Sequence, residues 1–127
     1  DWHLVFTTNE APADAIRTLA DTLEVSHRVH VLDRLADEAK AVALFDIYVE
    51  LASPYEAAPG TKQAMAAATP VVRSGNADLT AALDDLIEDK TGRADLAARN
   101  REQAQAQFDK VVSAKALGAL YQAVIAG

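Results

Sequence analysis

The hydrophobic positions change their period several times along the chain. Leu4-Val5-Phe6 is a short continuous apolar run, which suits a strand buried on both faces. From Ala13 to Leu23 the apolar residues Ala15, Ile16, Leu19 and Leu23 recur at helical spacing, behind Pro12 at a first-turn position. Arg28 to Leu32 alternates and is β-branched, predicting a second strand. Leu35, Ala39, Val42 and Leu44-Phe45 predict a second helix of about three turns, and Asp46 to Leu51 a third strand. Ser53 to Gly60 holds Pro54, Pro59 and Gly60 and reads as a loop. Thr61 to Ala68 follows as a short Ala-rich helix, and Pro70-Val71-Val72 as a fourth strand with Pro70 at its start. Beyond a turn at Ser74-Gly75-Asn76, the residues Leu79, Ala82, Leu83, Leu86 and Ile87 form a helical stripe that Thr91-Gly92 breaks. Helices over Ala94 to Phe108 and Val111 to Ile125 end the pattern. The last carries Ala114, Leu117, Tyr121 and Val124 on one face and is expected to bury Leu117, Leu120 and Tyr121.

Strands alternating with helices predict an α/β fold: a Rossmann-like doubly wound parallel sheet of about four strands, with helices on both faces and a C-terminal helical tail. The expected organisation is a single domain over residues 1–127. Residues 1–92 form the sheet core, and residues 93–127 form helices packed on it or on a second domain. Ligands of such sheets bind beyond the carboxyl ends of the strands. Three segments are therefore placed at the site: Thr7-Thr8-Asn9, Asp33-Arg34 and the stretch from Ser53 to Lys62.

Composition narrows the function. Of the 127 residues 50% are hydrophobic and 24% charged, which excludes disorder for most of the chain. The net charge of −7 disfavours nucleic acid and anionic membranes as partners. No apolar run reaches the ~20 residues of a membrane span. The absence of cysteine removes disulfides and thiolate metal sites, and the expected location is the cytoplasm. His3, His27 and His30 lack metal-ligand spacing, so no metal is expected.

Candidate chemistry is sparse. No glycine-rich dinucleotide fingerprint follows the first strand, and no P-loop or nucleophile elbow is present. Ser53, Ser74, His27 and His30 read as turn and strand residues rather than a nucleophile with its base. Trp2 reads as a packing residue, and Asp84, Asp85, Glu88 and Asp89 as a solvated acidic face. The stretch from Ser53 to Lys62 says more. It places Tyr55, Glu56, Gly60 and a helix N-terminus after the third strand, where free N–H groups favour a diphosphate. Glu56 can accept from sugar hydroxyls there, and Lys62 can pair with a phosphate.

Four stretches carry a family resemblance. Asp46-Ile-Tyr-Val-Glu-Leu-Ala-Ser-Pro-Tyr-Glu56 resembles the aspartate-strand-Ser-x-x-Glu stretch of group 1 glycosyltransferases with the GT-B fold. Lys62-Gln-Ala-Met-Ala-Ala-Ala-Thr-Pro-Val-Val72 is similar to that family's Glu-Ala-Met-Ala-x-Gly-Thr-Pro-Val-Val segment. Asp37 to Phe45 and Phe108 to Val124 resemble its helix before the third strand and its closing helix. The resemblance implies the C-terminal, donor-binding half of a retaining enzyme that transfers sugar from a nucleotide-sugar, metal-independently, in a cleft against an N-terminal acceptor domain. It implies that Glu56 orients the donor and Gln63 takes the ribose. On this reading Gly60, Thr61 and Lys62 at the helix N-terminus would meet the diphosphate, while Asn9, Asp33 and Arg34 would line the base and phosphate region.

This sequence departs from the family pattern in several places. Gln63 is an amide where the family has a carboxylate, and the loop is one residue short. The family's phosphate-gripping Arg and Lys lie upstream of Asp1. The Gly after the first strand, and the Gly-containing strand and turn after Pro-Val-Val, are absent. The isolated chain is therefore expected not to transfer sugar. Two expectations follow: a donor-binding half completed by a second domain or partner subunit, or a non-catalytic scaffold or interaction module with an eroded donor site.

Overall fold

The structure, a computed structural model, describes residues 2–7, 13–32, 35–51, 58–74 and 78–126. The chain divides into two compact units, residues 1–38 and 39–127.

The first unit is a single β-α-β element. β1 (Leu4–Thr7) and β2 (Val29–Leu32) pair in parallel, Leu4 beside Val29 and Thr7 beside Leu32. A parallel pair needs a crossover, here α1 (Ala13–Thr22) followed by a 3-10 turn at Ser26–Arg28. α1 ends in a Schellman motif: Val25 N–H donates to the Ala20 carbonyl and Glu24 N–H to that of Asp21. This leaves Glu24 at φ 58°, a conformation that a glycine adopts without strain. Burial is thin: Ala20 is buried, whereas Leu19 and Leu23 are exposed.

The second unit contains the same element again. β3 (Tyr48–Glu50) and β4 (Val71–Arg73) pair in parallel around the crossover helix α3 (Pro59–Ala66). Ahead of them lies α2 (Glu38–Val42), which begins at the last residue of the first unit. After them come α4 (Leu79–Glu88), α5 (Lys90–Phe108) and α6 (Lys110–Ala126). The core of this unit is Val42, Ala64, Met65 and Ala104, with α5 packed along α3. Buried Thr69 donates its hydroxyl to the Val42 carbonyl at 2.7 Å.

The α/β class and the parallel pairing agree with the sequence. Among the described residues the strands form two separate two-stranded sheets. The second helix is five residues long rather than three turns, because its end tightens into i→i+3 bonds, Leu44 N–H to the Ala41 carbonyl. Pro59 and Gly60 belong to α3, not to a loop; Pro59 takes the first helical turn, where its missing N–H costs nothing. The break after α4 falls at Asp89, not at Thr91-Gly92. The Asp89 carboxylate caps α5 by accepting from Gly92 N–H at 2.9 Å, and Arg93 reaches back to the Leu86 and Ile87 carbonyls that end α4. The proposed turn at residues 74–76 falls partly outside the described residues.

The closing helix is the main correction. Every described side chain of α6 is exposed, Leu117 by 53%, Leu120 and Tyr121 by 61%. The expected burial of these three residues, and of Val124, is not found.

Candidate functional site

The site expected from the sequence centres on the N-terminus of α3, at the carboxyl end of β3. Glu50 is the last residue of β3 and lies beside Arg73, the last of β4, in the parallel register. Residues paired in this way project to the same face of the sheet, and the two side chains meet: Arg73 Nε donates to Glu50 Oε2 at 2.6 Å. The other carboxylate oxygen, Oε1, accepts from the Ala58 N–H at 2.8 Å, one residue before α3 begins. Glu50 is only 4% exposed. A charge buried this deeply is tolerated only when it is paired and hydrogen-bonded, and Glu50 is both. The chain's own carboxylate thus stands where the positive end of the α3 dipole draws an anion.

Several other α3 residues are covered, although Pro59 and Ala66 are exposed. Gly60 and Thr61 are buried within the first turn, Thr61 completely. Lys62 extends its ammonium over the Phe108 ring of α5, 5.3 Å from the centroid. Gln63 is half-buried. Three buried polar atoms among the described residues have no hydrogen-bond partner: Thr61 Oγ1, Gln63 Oε1 and Asn100 Nδ2, the last on α5. The structure brings Gly60, Thr61, Lys62 and Gln63 together on one helix, which packs against α5. Glu56, Asn9, Asp33 and Arg34 lie outside the described residues.

Glu50 and Arg73 were not singled out by sequence reasoning. In Tyr-Val-Glu-Leu, Glu50 occupies an alternating polar position that reads as solvent-facing. The available signal was joint: opposite charges at the ends of two strands joined by a short crossover.

In the first unit, His3 Nδ1 and His30 Nε2 lie 3.1 Å apart with stacked rings, and the Arg28 guanidinium sits 5.3 Å from the Trp2 ring centroid. Trp2, His3 and His30 are exposed and Arg28 is half-buried, and Trp2 serves as a partner for a cation. An open depression lined by Arg17, Asp21, Ser26 and Val29 is closed at one side by a Ser26–Asp21 hydrogen bond. Among the described residues no three His, Asp or Glu side chains gather as metal ligands, and no helix is long and apolar enough to cross a membrane.

Comparison with protein-family models, curated proteins and solved structures finds no match to the chain.

Proposed function

We propose that this chain is a glycosyltransferase-like α/β module with an eroded donor position, acting through contact with another domain or subunit rather than by transferring sugar. One observation carries this reading: the Glu50 carboxylate, buried and paired with Arg73, lies at the N-terminus of α3. The Ala58 N–H ahead of the helix is already taken by this carboxylate rather than left free for a diphosphate, and the Lys62 ammonium lies over the Phe108 ring.

The GT-B side of the reading has its own support. Ala68 has φ 60° and closes α3 in a Schellman motif, with Thr69 N–H on the Ala64 carbonyl and Ala68 N–H on that of Met65. Ala68 occupies the place of glycine in the family's Ala-x-Gly-Thr-Pro segment, and a left-handed residue is what a glycine there would supply. The four-stranded doubly wound sheet and a cytoplasmic setting belong to the same proposal. A second reading, the nucleotide-sugar-binding half of a retaining enzyme, draws on the position of α3 directly after β3. In it Glu56 orients the donor and Gln63 holds the ribose.

Titration with UDP, GDP and ADP, followed by backbone amide shifts, separates the two. The eroded site predicts silence up to millimolar nucleotide. Micromolar binding with shifts confined to residues 56–65 would overturn it in favour of the second reading.

A further inference from the structure

α6 spans 17 residues, and none of its described side chains is buried. From Val111 to Ala126 it carries a single charge, Lys115. Five residues, Val111, Ala114, Gly118, Tyr121 and Ile125, recur at alternating spacings of three and four and so share one face, with Leu117 and Val124 along its edge. The large apolar side chains of the helix are 46–83% exposed. Val111, Leu117, Tyr121, Val124 and Ile125 are each more than half exposed, and a contiguous apolar surface of this kind marks an interaction site.

The face fits a copy of itself. Gly118 is the central residue of α6, and a Cβ built there meets nothing within 4 Å. A second helix can therefore approach the backbone closely at this point. When two α6 helices cross antiparallel at Gly118, Val111 and Ala114 of each copy meet Tyr121 and Ile125 of the other. The charges select this direction. A parallel pair sets Lys110 against Lys110 and Lys115 against Lys115. The antiparallel pair brings Lys115 to the partner's Tyr121 ring and Lys110 to the partner helix's C-terminal end, where the dipole is negative.

We propose that α6 is a homodimerisation helix, pairing antiparallel with α6 of a second copy about a two-fold axis at Gly118. The contact is isologous, so it closes on itself and gives a dimer rather than a filament. It is independent of the reading of the donor position.

Sedimentation equilibrium of the full chain from micromolar to submillimolar concentration tests this. A reversible dimer is expected, and Tyr121→Glu with Ile125→Glu should weaken it at least tenfold, while far-UV circular dichroism shows that α6 is retained. Because the chain has no cysteine, Gly118→Cys should form a disulfide-linked dimer on mild oxidation, whereas Val111→Cys alone should not. A monomer throughout the range would overturn the proposal, as would a dimer indifferent to the two glutamates. Cross-linking by Val111→Cys but not Gly118→Cys would exclude the antiparallel arrangement. Transfer of the monomer to phosphatidylcholine vesicles would assign the face to a lipid surface instead.

Discussion

The two longest helices distribute hydrophobicity and burial in opposite senses. α5 carries six charged residues and reads as polar along most of its length, yet it packs along α3 and buries Asn100 and Ala104. α6 is far more apolar, and all of its described side chains are exposed. A helix is buried by what it lands against, not by its mean hydropathy. α5 packs on α3, and its half-buried and buried positions Leu96, Ala97, Asn100 and Ala104 share one face. α6 follows after a one-residue break at Asp109, and its large side chains have no facing surface within the described residues.

The contrast can be tested from its strongest side downward. Met65, buried on α3, should cost about 2–4 kcal/mol on substitution by alanine, from lost transfer energy plus the cavity left behind. Urea denaturation measures it, and a loss below about 1 kcal/mol would mean that Met65 is not packed in the core of this unit. Ala104→Leu introduces a larger side chain into the tight part of α5 and should cost about 1–3 kcal/mol. If α5 were as free as α6, the same substitution would be neutral.

At the end of α3, Ala68→Gly should raise stability by up to about 1 kcal/mol, because glycine adopts φ 60° without the Cβ penalty, an advantage that its greater unfolded-state entropy offsets in part. A destabilised variant would mean that Ala68 is not left-handed in solution. The smallest effect belongs to Leu117→Ala. At concentrations where the chain is monomeric it should change stability by less than about 0.5 kcal/mol. A loss of about 2 kcal/mol under those conditions would restore the packed closing helix that the apolar stripe suggested.

Much of the local structure was legible in the sequence because it depends on neighbours in the chain. The stripe from Leu79 to Ile87 gave α4, and Asp78 caps it through the Thr80 N–H as a helix-starting aspartate should. The alternation of strands and helices predicted parallel strands, and both observed pairs are parallel. The candidate helix after the third strand was found, displaced by two residues because proline was read as a loop signal rather than a first-turn residue.

The sequence by itself thus determined the order of strands and helices, their periods and the direction of pairing. Only the tertiary structure decided which charges meet and which faces are covered. Glu50 and Arg73 are 23 residues apart and become neighbours through the β3–β4 register alone. Lys62 and Phe108 meet only because α5 packs on α3. α6 showed an apolar face but not whether anything in its own unit lies opposite. Periodicity records the side of an element on which apolar residues lie, whereas burial needs a second surface, and that surface comes from residues distant in the chain.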